Sequence, residues 1–133
     1  MRTSRINPPA VAQPVGSYSH AVRVETGDAV WIHISGQVGL DREGNLVGRN
    51  DTGAQTEQVF ENLRAVLEAN GATFADVVKI TTYLTTLDDL QAMREVRLRY
   101  LPSEPPASTT VQVVALVLPE AVIEVDVVAV VPA

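Results

Sequence analysis

The chain has 133 residues, no cysteine and a formal net charge of −6, with 46% hydrophobic and 20% charged residues. Such a length suits one domain with one core, residues 1–133 throughout, while the lack of cysteine excludes disulfides and thiol chemistry and suits a reducing cytoplasm. The acidic balance argues against a nucleic-acid surface, which needs clustered Lys and Arg, and no apolar stretch reaches the ~18 residues of a membrane span.

Residues 1–17 carry Pro8, Pro9, Pro14 and Gly16 and read as an irregular lead-in; the basic start has no apolar segment behind it, so no secretory signal is expected. Residues 18–25 alternate as a strand does, Thr26-Gly27-Asp28 is a turn, and residues 29–36 form a second strand, together a hairpin. In that second strand Trp31, His33 and Ser35 share one face. A loop rich in Gly, Asp and Asn spans 39–53; it has neither the Gly-Lys signature nor the helix start of a phosphate loop. Asp51 or Thr52 caps a helix that stops at Gly71, with Val59, Phe60, Leu63, Val66 and Leu67 at helical spacing. A third strand covers 77–84. After Leu87-Asp88-Asp89 a second helix carries the one basic cluster, Arg94, Arg97 and Arg99, until Pro102 ends it. Two β-branched runs close the order β-β-α-β-α-β-β: 109–117 and 122–131, joined by a turn at Leu118-Pro119-Glu120-Ala121.

Those last two runs place apolar side chains on both faces, at Val113 and Val114 and from Val127 to Val131. Two amphipathic helices can cover only one face of the sheet, so the other is expected to meet another copy in a closed homo-oligomer. Within the last run Glu124 and Asp126 point to the same face, and a carboxylate inside a core strand is either solvated at an edge or there for chemistry. His20 and His33 lack any partner at metal-ligand spacing, so neither a metal nor a cofactor is implied.

The segments GSYSHAV, ISGQVG, QTEQVFENLRAVLEANGATFADVVKITTYLTTLDDL and PPASTTVQVVALVLPEAVIEVDVVAVV, in that order and spacing, resemble the Rid (RidA/YjgF/L-PSP) family, small proteins that hydrolyse reactive enamines and imines. The resemblance implies an α+β, chorismate-mutase-like fold: a mixed sheet with two helices on one face and the other face towards the axis of a homotrimer. Three pockets at subunit interfaces would then take a small-molecule substrate. Carried over, the pocket residues are Tyr18, Ser35 with Gly36 beside it, Thr110, and Glu124 as the catalytic carboxylate. Two positions depart. The family's deaminases carry an arginine where this chain has Ser108, and an asparagine near the ligand in some members is here Arg94.

Imine hydrolysis needs a water delivered to the C=N carbon and a proton for the departing amine. Glu124, in an apolar pocket that raises its pKa, can orient and deprotonate the water and then return the proton to nitrogen; Tyr18 is expected to bond the substrate or wall the pocket. A serine at 108 supplies none of the charge-assisted bonding an arginine gives a carboxylate, on the order of 10- to 150-fold in binding. The expectation is therefore a deaminase whose substrate is not 2-aminoacrylate, with Arg94 as a candidate replacement for the missing charge. The alternative is a trimeric small-molecule-binding relative that has lost catalysis. Ribonuclease activity, also attached to the family's name, finds no basic groove to support it.

Overall fold

The computed structural model describes residues 1–133. Its strands are β1 (Arg2–Ile6), β2 (Ala21–Thr26), β3 (Ala29–Gln37), β4 (Val77–Leu84), β5 (Ala107–Gln112) and β6 (Ile123–Pro132); its helices are α1 (Thr52–Ala69) and α2 (Leu90–Leu98). All six strands join one sheet in the order β1-β2-β3-β6-β4-β5, antiparallel except for the β4–β5 pair.

The helices form where the sequence places them. The Asp51 carboxylate accepts from the Ala54 amide at 3.0 Å and caps α1. The helix stops because Gly71 takes φ +74, a left-handed conformation that costs glycine little, and Gly71 and Ala72 return their amides to Glu68 and Leu67. Val59, Phe60, Leu63, Val66 and Leu67 of α1 and Met93 of α2 bury themselves on Ile32, Ile34, Ile80, Leu84, Ile123, Val125 and Val127 of the sheet. The result is the expected α+β arrangement, with both helices on one face.

Three expectations are corrected. The lead-in contains a strand: β1 pairs with β2 from Arg2↔Glu25 to Ile6↔Ala21, held by its backbone rather than by buried side chains. The apolar run expected as a strand over 109–117 stops pairing early. Val113 donates the last bond to Leu84, where β4 itself ends, and beyond it Val114 and Val117 stand fully exposed. In the sheet, β4 lies between β5 and β6. The two faces of β6 are not equally buried. Ile123, Val125, Val127, Ala129 and Val131 lie under the helices, whereas Glu124, Asp126, Val128 and Val130 are half-buried on a face no helix covers. That open face is mixed rather than apolar: Tyr83 stands opposite Glu124, Thr81 opposite Asp126, and His33 opposite Val128.

Candidate active site

On the open face, where β3 meets β6, lies a cleft of about 420 Å³. Glu124, Ser35, Gly36 and Tyr18 line it, with Val15, Val38, Val117 and Leu118 as apolar walls. Its floor depends on an irregularity in β3. The β3–β6 register shifts between Ile34 and Gln37, so Ser35 and Gly36 bulge out of the ladder. Glu124 fills the space this leaves. A Cβ on Gly36 would stand 2.5 Å from Glu124 Oε2, 2.7 Å from Cδ and 2.9 Å from Cγ. Only glycine lets the carboxylate lie there.

Glu124 is half-buried and pairs with no cation in the chain. Burial pushes its carboxyl above the usual range, and the like charge of Asp126 on the same face pushes it further. Asp126, with burial and Glu124 behind it, also raises the phenol of Tyr83. Nothing in the sequence singles out Tyr83, since a tyrosine inside a strand is usually packing.

Ser35 has its proton committed. Its hydroxyl donates to the Ser19 carbonyl at 2.6 Å, and its amide donates to the His20 carbonyl at 2.8 Å, so towards a ligand the Ser35 oxygen can only accept. His20 and Gln37, both buried, brace the bulge from below. The His20 Nε2–H donates to the Ala12 carbonyl at 2.6 Å, which leaves Nδ1 to accept from Gln37 Nε2 at 3.1 Å. The same Gln37 nitrogen donates to the Ser35 carbonyl at 3.1 Å. Tyr18 packs edge-on against the His20 ring at 6.2 Å between centroids, while its hydroxyl accepts from the Val15 amide at 3.4 Å.

Buried polar side chains of α1 hold the walls. Asn62 donates to the Val38 and Leu40 carbonyls at 3.1 and 2.9 Å. Gln55 donates to the Gly48 and Glu120 carbonyls and accepts from the Val122 amide at 2.8 Å, which fixes the turn carrying Leu118.

The remaining expected residues lie elsewhere in the chain. Ser108 and Thr110 sit on the edge strand β5, in register with Ile80 and Thr82, whose side chains are buried on the helix side; they share that side, away from Glu124. Arg94 is exposed on α2. It is Arg97, one helical turn on, that reaches the strand: its Nη1 donates to Ser108 Oγ at 3.4 Å. No three of the His, Asp and Glu side chains converge where they could hold a metal ion, and no helix is long and apolar enough to cross a membrane.

The family pattern described as Endoribonuclease L-PSP matches residues 9–131. The chain belongs to the L-PSP, or Rid, family. Among its relatives, Protein DfrA of Myxococcus xanthus is 41% identical over 116 residues, 87% of each chain. A 2-iminobutanoate/2-iminopropanoate deaminase of Dermatophagoides farinae is 36% identical over 111 residues, 84% of each. The crystal structure of RidA from an Antarctic Psychrobacter superposes with a TM-score of 0.84 at 39% identity, over 96% of this chain and 99% of that one. The helices-on-one-face sheet is thus the chorismate-mutase-like fold of the Rid family.

Proposed function

We propose that this chain hydrolyses reactive enamines or imines, releasing ammonia and a carbonyl product, in a cleft completed between subunits of a homotrimer. The observation that carries this reading is the Glu124 carboxylate: half-buried, unpaired by any cation and raised in pKa, it lies in an apolar cleft over Gly36. The name of the Dermatophagoides relative supports the reaction class. A reducing cytoplasm is the proposed setting, with residues 1–133 acting as one unit.

The chemistry follows from the side chains present. An enamine first tautomerises to the imine, gaining a proton at carbon as it gives one up from nitrogen. Glu124 then accepts a proton from water as the water oxygen bonds to the C=N carbon, and the electron pair of the double bond moves to nitrogen. Protonated Glu124 returns that proton to the nitrogen, giving a carbinolamine; Glu124 then takes the hydroxyl proton and passes it to the nitrogen as the C–N bond breaks, so that ammonia leaves and the C=O bond forms. A carboxyl raised towards neutrality is matched to both halves of this exchange. Ser35, able only to accept, suits the N–H of the imine, and Tyr18 closes the outer wall.

The trimer reading is supported by Val114 and Val117, which are 103% and 96% exposed in the single chain, and by a sheet face without helices. Ser108 offers no charge of its own, so 2-aminoacrylate is not the proposed substrate. The acidic surface that argues against ribonuclease activity is equally suited to small-molecule work.

The test generates imines in situ from a panel of amino acids with an amino-acid oxidase and follows carbonyl formation with and without the protein. Acceleration that disappears in Glu124→Gln supports the reading. No acceleration across the panel overturns it, and tight keto-acid binding without turnover would instead favour the non-catalytic binding relative.

A further inference from the structure

We propose that Arg97, carried on α2 and seated on Ser108, supplies the positive charge that binds a carboxylate-bearing ligand in this chain, and that it serves the cleft of a neighbouring copy. The inference rests on the reading of that cleft as the ligand site, and names the ligand class and the residue that selects it.

Three observations lead there. Arg97 is half-buried, and its one side-chain partner is the Ser108 hydroxyl at 3.4 Å; no carboxylate pairs with it or with Arg94 one turn earlier. Two like charges on one helix face, one of them partly desolvated and without a counter-ion, make a place where an anion is favoured. Burial and then Arg94 both press the Arg97 guanidinium below its ordinary pKa, the direction a bound anion would reverse. Arg97 lies in the last turn of α2, where the helix dipole favours a cation, but the dipole supplies no counter-ion; Arg99, the exposed C-cap, has one in Glu57.

Within one chain this charge cannot reach Glu124. Ser108 sits on the edge strand, on the helix side, and Glu124 is on the open face. A second copy can bring them together. All six residues of β5 are exposed, and the segment after it runs through exposed Val114 to Val117, which itself lines the cleft. One exposed stretch of chain therefore runs from the strand that Arg97 touches to the cleft wall, open to a copy of the same chain. A planar guanidinium there matches a carboxylate with two parallel bonds. Because Arg97 stands behind Ser108 rather than at it, the acid group it binds lies farther from the C=N carbon, in keeping with a substrate larger than 2-aminoacrylate.

The test is calorimetric titration with straight-chain 2-oxo acids and the ketones of matching length, the readout being the preference for acid over ketone. Arg97→Met keeps the apolar stem and removes the charge; it should lower that preference on the order of 10- to 150-fold. Arg97→Lys should retain part of it, and Ser108→Arg placed in the Arg97→Met background should restore it. Arg99→Ala, the same change of charge on the same helix, should leave the preference where it was. An unchanged preference in Arg97→Met, or a wild type that binds oxo acid no better than ketone, overturns the inference. Oxo-acid binding that depends on Arg97, in a protein that hydrolyses no imine, would sustain the inference while removing the catalytic reading. Imine hydrolysis indifferent to Arg97 would do the reverse.

Discussion

Gly36 offers the sharpest probe of the cleft, because replacing it moves the proposed catalytic carboxylate of Glu124 without altering its chemistry. In Gly36→Ala the new methyl group would sit 2.5 Å from Glu124 Oε2, about 0.9 Å inside the 3.4 Å at which ordinary contact begins. The Glu124 side chain must rotate away by roughly that much, since Gly36 is fixed in the strand bulge. A misplacement of about 1 Å costs on the order of 100-fold in rate. The fold should hardly notice. Gly36 does not have a positive φ, so alanine can adopt its backbone, and the loss of unfolded-state freedom contributes about 0.4–1 kcal/mol in favour of folding. The assay is oxidase-coupled imine hydrolysis for four proteins: wild type, Gly36→Ala, Glu124→Gln and the double variant, each with a thermal melt. Glu124→Gln alone should lose about 10²- to 10⁴-fold. If Gly36 acts through Glu124, the double variant should be no slower than Glu124→Gln. A Gly36→Ala enzyme at full rate, or a double variant in which the two defects multiply, would refute the reasoning.

Glu124 should also leave a mark on stability. Its carboxyl is raised above 4.5 by burial and by Asp126, so the folded protein holds that proton more tightly than the unfolded chain. The stabilisation is complete below the unfolded value and is lost as pH rises through the folded one. The urea midpoint of Glu124→Gln should therefore gain on wild type with rising pH across that window; a pH-independent difference counts against the burial argument. His20→Ala removes a ring with both nitrogens engaged at 4% exposure, and should cost about 1–3 kcal/mol in urea unfolding. A loss under about 0.5 kcal/mol, the size of an ordinary surface change, would mean the bulge does not lean on it. Replacing Val114 and Val117 together by aspartate should turn the assembly into monomers in sedimentation velocity, since each valine buried between copies contributes about 1.5–3 kcal/mol. Unchanged sedimentation would place the subunit contact elsewhere.

Both helices and the cores of four strands were legible in the sequence because their apolar periods are strong and their stops are chemical: Asp51, Gly71, Pro102. β1 was not, because Arg-Thr-Ser-Arg-Ile buries little and its pairing is made by backbone groups that leave no trace in composition. The run after Gln112 misled for the opposite reason. Valine and leucine there suit a sheet, but β4 ends at Leu84 and offers no further partner, so the same residues become exposed surface and cleft wall. Strand order was hidden for a related reason. The turn between the two apolar runs does not say which strand either one pairs with, and only tertiary packing inserts β4 between them. For the site, Tyr18, Ser35, Gly36 and Glu124 could be named from the sequence and do line one cleft. What no sequence pattern shows is that Ser35 has already given its proton to Ser19, or that Arg97 rather than Arg94 meets Ser108.

The place of β6 in the sheet bears on how the protein is made. It follows the other five strands in the chain, yet it lies in the middle of the sheet, between β3 and β4. Until 123–132 has left the ribosome, the nascent chain can form only two separate pieces, β1-β2-β3 and β4-β5, each with an unpaired edge and an uncovered apolar face. Insertion of β6 joins them in one step, and the same step delivers Glu124 to Gly36. A partly synthesised chain therefore lacks the cleft altogether, and one stalled before this strand exposes the apolar faces that chaperones and proteases recognise.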